Sequence, residues 1–183
     1  MNTASRTPTQ QQEGRRTPWR LSRPWRTTAV SIHVIASVGW LGVHGSMLAL
    51  TASTLAAPEF IPAAYTAAGA LSSMLVLPLS AMALVSGLVL AIGTPWGLFR
   101  YYWVAAKLAL TTLLFLGSNF SIGAEVRAVA TAVAMEGATA VTPLDQTRTV
   151  GALAVSFCVI VIVTLLSTVK PFGRIRRRSR AAR

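Results

Sequence analysis

Apolar positions along the chain gather into four long runs, at 29–51, 67–92, 103–122 and 150–169. Between them lie short breaks marked by proline, glycine and charge. A helix rises about 1.5 Å per residue, so about 20 apolar residues cross the roughly 30 Å hydrocarbon layer of a bilayer. Each run meets that length. The pattern predicts an all-α integral membrane protein, a four-helix bundle of up-down topology. Three regions follow: a basic, disordered tail over 1–28, a membrane domain over 29–170, and a second basic tail over 171–183. No sizeable soluble domain fits in what remains.

The interior of each run carries its own signals. The first is rich in small residues (Ala36, Ser37, Gly39, Gly42, Gly45, Ser46), which let membrane helices approach closely. The second holds Pro78 at its middle, and a missing backbone donor there predicts a kink. It ends at GTPWG, 93–97, where Trp96, Tyr101, Tyr102 and Trp103 form an interfacial aromatic belt. The third is followed by EVRAVATAVAMEGA, whose alanine content predicts that the helix continues until Gly137 and Pro143 interrupt it. The fourth, FCVIVIVTLL at its heart, is almost uniformly apolar and is expected to be the most lipid-exposed. Cys158 inside it has no partner in the chain and is expected to behave as a small buried hydrophobe.

Charge orients this arrangement. The chain is 53% hydrophobic, 12% charged and carries a formal net charge of +12. Six arginines precede the first run, from Arg6 to Arg26, and seven basic residues follow the last, from Lys170 to Arg183. The break between the second and third runs carries Arg100. The break between the first and second carries only Glu59, and the segment after the third sets Arg127 and Arg148 against Glu125, Glu136 and Asp145. The positive-inside rule then places both termini in the cytoplasm, N-in and C-in, of a bacterial plasma membrane, and it requires an even number of spans. Tails of this kind lie against anionic headgroups, each charge contributing about 1 kcal/mol near the surface. The lipid bilayer, rather than nucleic acid, is therefore the partner that the basic charge implies, with Trp19 and Trp25 as interfacial anchors. A homo-oligomer or a membrane partner is compatible with the same pattern. Arg15-Arg16 ahead of an apolar run has the outline of a twin-arginine signal, but Pro58 after Ala56-Ala57 favours a retained first helix.

The chemistry lies in the few polar groups inside the runs. His33 and His44 are the only histidines, both in the first run. With Ser37 and Trp40 they follow a spacing of 4, 3 and 4, which puts them on one helix face. Eleven residues separate the two rings by about 16 Å along the axis, so one metal ion cannot take both. Lys107 falls at a depth like that of His33, and Asn119 at a depth like that of His44. Two polar levels are thus expected, His33 with Lys107 and His44 with Asn119. The plainest role for each histidine is packing, with a hydrogen bond to a carbonyl or hydroxyl, and for Lys107 a stem that snorkels to the headgroups. Haem b is an alternative, with His33 or His44 as axial ligand and Met74, Met82 or a second subunit supplying the other. Copper is another, with His33, His44 and Met47 as donors, since His44 and Met47 stand on adjacent turns. No carboxylate lies in a run, no glycine-rich phosphate loop occurs and no Cys/His cluster has zinc spacing, so hydrolytic chemistry has no support.

Three stretches resemble a known type of protein: HVIASVGWLG (33–42), SGLVLAIGTPWGLFRYYWVAAKLALT (86–111) and VKPFG (169–173). Together they resemble a family of small bacterial four-helix membrane proteins of unassigned activity. That family is similar to the membrane domain of the copper-resistance protein CopD, with its HxxAxxxWxG-like start, and more distantly to HemJ, a haem-associated protoporphyrinogen oxidase. The resemblance implies copper passage or haem-dependent oxidation, and it falls on His33, Trp40, Gly42 and Lys107. The chain departs from both patterns in having four runs and no third histidine. Three expectations result. The first is a structural, accessory or transport-related bundle that is not an enzyme and holds no cofactor. The second is a haem- or copper-binding protein using His33, Trp40, His44 and Lys107, with a haem-dependent oxidoreductase as its enzymatic form. The third is a proton-coupled carrier using His33 and Lys107.

Overall fold

The computed structural model describes residues 21–93 and 102–169. Four helices in it are long and apolar enough to cross a membrane: α1 (Arg23–Ser53), α2 (Pro58–Gly93), α3 (Val104–Ala140) and α4 (Pro143–Val169). Among the described residues there is no strand, and the fold is all-helical. These lengths and compositions make it a multi-pass membrane protein.

α1 starts earlier than the apolar pattern implies. Residues 23–28, expected in a disordered tail, are helical because Pro24 sits in the first turn, where its missing donor and fixed φ suit a helix start. Thr27 and Thr28 each donate to the carbonyl four residues back, and the Leu21 amide donates to the Gly93 carbonyl at 3.1 Å, fixing this start against the end of α2. α2 also begins before its apolar run, with Pro58 and Pro62 at early positions of successive helical turns. The tail residues 1–20 and 170–183 lie outside the described residues, as do Trp96, Tyr101 and the side chain of Trp103.

Two helices contain a widened turn. In α2 it spans Ser72–Val76, just before Leu77 and Pro78, where the missing proline donor would otherwise leave the Met74 carbonyl unpaired. In α3 it spans Gly117–Ser121. There the Asn119 side-chain amide donates to the Phe115 carbonyl at 2.7 Å, and Arg127 donates to the Asn119 carbonyl at 3.2 Å. α3 then runs on to Glu136 and breaks at Gly137, whose φ of 74° suits glycine.

Packing is cyclic: α1 touches α2 and α4, α2 touches α3, and α3 touches α4. At one level Ala36, Trp40, Ala83 and Ile160 cluster, and at the next Val43, Met47, Ala68, Val76, Val126 and Leu153. A third cluster, Ile61, Tyr65, Val133 and Val141, closes the far end. Gly69 allows the closest approach of α2 to α3, since a Cβ there would lie 2.5 Å from that of Ala130. Outward faces are apolar, with Ile35, Leu113 and Val155 about two-thirds exposed, while His44, Ser80, Ser118, Asn119 and Ser156 are buried. Hydrocarbon outside and polar groups inside is the inverse of a water-soluble domain, and it suits a lipid solvent.

Two expectations about α4 are corrected here. It turns Leu153, Ser156, Ile160 and Val163 inward and buries a larger share of its apolar window than α2 or α3, so it is not the most lipid-exposed helix. Ser156, small and polar among these, marks an inner side that the uniform hydropathy conceals. Cys158 is exposed rather than buried, because it lies two residues round from Ser156 on the outer face.

Candidate functional site

The polar residues of the four helices meet in rungs across the bundle. In the first, the imidazole of His33 on α1 places Nδ1 3.0 Å from the Ala83 carbonyl and 3.1 Å from Ser86 Oγ, both on α2. A carbonyl oxygen only accepts, so Nδ1 carries the proton and Nε2 of the neutral ring is an acceptor. Facing Nε2 at 3.4 Å is Nζ of Lys107 on α3, which also donates to Ser167 Oγ on α4 at 2.6 Å. The Ser167 hydroxyl in turn donates to the Val163 carbonyl. All four helices thus contribute to one level. Where Lys107 is expected to snorkel to the headgroups, the structure gives its ammonium two partners inside the bundle, His33 and Ser167. Gly87 makes room for this rung, because a Cβ there would meet His33 Cε1 at 3.1 Å.

The second rung repeats the first. His44 Nδ1 lies 3.3 Å from the Trp40 carbonyl, which again leaves Nε2 as acceptor. Ser118 Oγ of α3 stands 3.2 Å from that nitrogen and 3.5 Å from Ser156 Oγ of α4. With Ser118 donating to the ring, Ser156 donates to Ser118. The expected partner of His44, Asn119, instead donates to Ser80 Oγ of α2 at 3.1 Å. Depth along the helix was matched but azimuth was not: one residue turns a helix by about 100°, so Ser118 faces His44 on the line of Lys107 while Asn119 turns towards α2. Between the rungs, Trp40 packs edge-on to His44 at 5.9 Å between centroids. Its indole Nε1 is buried with no hydrogen-bond partner.

Beyond the second rung the polar groups continue through a residue whose charge marks it for the segment outside the apolar runs. Arg127 is half-buried and donates to Ser72 Oγ at 3.2 Å as well as to the Asn119 carbonyl. Ser72 in turn donates to the Gly123 carbonyl at 3.3 Å. A Cβ at Gly123 would collide with the Ser118 carbonyl, so the tight contact here depends on glycine.

Beside the first rung, between α2 and α3, lies a cavity of about 140 Å³. His33, Lys107 and Thr111 supply its polar wall, and Ala83, Leu84, Leu108 and their neighbours the rest. A cavity near 150 Å³ holds a guest the size of benzene, so a porphyrin does not fit this one. Among the described residues no group of three or more His, Cys, Asp or Glu could hold a metal ion. Both nitrogens of His44 are already engaged, and Met47 is buried in the apolar cluster with Val43, Ala68 and Leu153. What the arrangement can do chemically is hold and pass protons: each rung offers an imidazole lone pair, a donor aimed at it and a hydroxyl behind that donor.

Comparison with protein-family models, with curated proteins and with solved structures finds no match to this chain.

Proposed function

We propose that this protein is a transport-related membrane bundle that moves protons through its interior, with His33 and Lys107 as the loading site and His44, Ser118 and Ser156 as the next station. The observation that carries this reading is the approach of the Lys107 ammonium to the lone pair of His33 at a level shared by four helices and open to a cavity. An ionisable pair inside a membrane bundle is costly to keep, and a purely structural helix packs as well with alanine and serine. The two rungs lie about 16 Å apart along the axis, farther than one proton hop. The unpartnered Trp40 indole and the buried Thr111 hydroxyl, which fall between them in the chain, are where water would complete the path.

The same reading takes the helices to alternate in direction, with both termini in the cytoplasm of a bacterial plasma membrane. It is supported by the pairing of α1 residues 33 and 44 with α3 residues 107 and 118 in the same order, and with α4 residues 167 and 156 in reverse order. The basic flanks give the sign of the orientation. Haem and copper are served less well. The cavity is small for a macrocycle, and His44 and Met47 are both committed to other neighbours.

Protein reconstituted into liposomes with an internal pH-sensitive dye and an imposed potassium diffusion potential tests the proposal. Wild-type vesicles are expected to acidify several-fold faster than protein-free ones, and Lys107→Ala vesicles to match the protein-free rate. Equal flux in wild type and Lys107→Ala would reject it.

A further inference from the structure

We infer that the cavity beside the first rung is a binding site for a short, apolar monocarboxylate that completes the charge of Lys107. The inference rests on the transport reading of His33 and Lys107 and names the anion that occupies the loading site. Three features lead to it.

The first is the charge. Lys107 Nζ offers three donors, and its contacts among the described residues use two of them, on neutral acceptors: Ser167 Oγ and His33 Nε2. No carboxylate of the chain's described residues reaches it. Glu125, the next acidic residue on the same helix, lies about 27 Å farther along α3, while Glu59, Glu136 and Asp145 sit towards the ends of helices remote from this rung. A half-buried cation with no counter-charge among the described residues is completed by an anion from outside.

The second is the wall. Among the described residues, apart from His33, Lys107 and Thr111, the cavity is lined by carbon, from side chains such as Leu84, Ala91 and Val104. Such a wall solvates a hydrocarbon tail and leaves a bare inorganic anion without donors on most sides. The third is the size. About 140 Å³ suits a guest close to benzene in volume, which for an aliphatic acid means about four to six carbons. A carboxylate head at Lys107 and a short tail along α2 and α3 satisfy all three. Gly87 takes part by leaving the edge of His33 open to the same space.

Equilibrium dialysis of the full chain in detergent micelles against radiolabelled butyrate tests the site. The expected result is saturable one-to-one binding that excess chloride does not displace and that butyramide, the neutral isostere, does not compete for. Lys107→Gln is expected to weaken binding at least tenfold, the usual effect of losing a charge-assisted hydrogen bond. Ala91→Phe, which fills the cavity and keeps the charge, is expected to weaken it as well. The butyrate–butyramide comparison uses wild-type protein alone, so it stands even where a variant fails to fold. Butyrate that binds no better than butyramide, is displaced by chloride, or binds Lys107→Gln within twofold of wild type overturns the site. Butyrate binding of the expected kind without proton flux would reject the transport reading and keep the pocket, whereas flux without binding would reject the pocket alone.

Discussion

His33 and His44 share a feature that neither depth nor hydropathy reveals. Each presents Nδ1 to a backbone carbonyl and so fixes Nε2 as the acceptor that reaches across the bundle. ¹⁵N spectra of histidine-labelled protein in micelles should therefore show two rings with the proton on Nδ1, and a ring with its proton on Nε2 would contradict the assigned rungs. Ser118 is the donor on which the second rung depends. Ser118→Ala leaves a buried lone pair facing no donor and is expected to cost about 1 kcal/mol in reversible unfolding in mixed micelles. Asn119→Ala should act differently, by freeing Phe115 and Ser80 and loosening the widened turn. At this scale the sequence was readable in part. His33 and Lys107 were legible as a pair because ionisable groups in an apolar run are rare and their depths can be counted. Ser118, Ser156 and Ser167 were not, because serine in a membrane helix reads first as a small packing residue. One signal could have found them: the pairs 33 and 44, 107 and 118, and 156 and 167 all share a spacing of eleven, close to three turns.

Among the helices, the signals at the termini were clearer than those along the faces. Pro24 and Pro58 mark helix starts that lie ahead of the apolar runs, which is why the runs alone began α1 and α2 too late. The start of α4 is equally legible in the residues ahead of its apolar run. Thr142 and Asp145 in TPLD form a reciprocal cap: the Asp145 amide donates to Thr142 Oγ1 at 3.2 Å, and the Thr142 amide donates to the Asp145 carboxylate at 3.1 Å. Thr142→Ala is expected to lower stability by about 1 kcal/mol in the same unfolding assay, with no change in proton flux. Gly69 is a stricter test of helix contact. A valine there must push α2 away from Ala130, at a cost of about 2 kcal/mol, and Gly69→Ala should cost less. The widened turn at Gly117–Ser121 could not be read from hydropathy, because it is held by the Asn119 amide and by Arg127 from two turns later. Arg127 itself looked like a charge of the segment beyond the membrane, and only tertiary contact turns it inward.

The whole molecule is a lipid-facing shell around a polar column, and composition predicted the shell far better than the column. Four apolar runs require four helices, and the need to satisfy every backbone group in hydrocarbon leaves little choice of fold. Which faces turn inward is set by a few small and polar side chains, a weaker signal than the runs themselves. α4 shows this, since the inner side marked by Leu153, Ser156 and Ile160 is hidden by uniform hydropathy. For the proposed orientation, a phosphatase fused after Arg183 should be inactive while a fluorescent protein at the same site folds and shines; an active phosphatase would reverse the topology. The most direct test of proton movement along the column sets four reconstituted proteins side by side in the liposome assay: wild type, Lys107→Ala, His44→Phe and the lipid-facing Leu113→Ala. Flux at the wild-type rate in Leu113→Ala and at the protein-free rate in both rung variants is the predicted result. Wild-type flux in either rung variant, with the protein correctly folded and inserted, would contradict it.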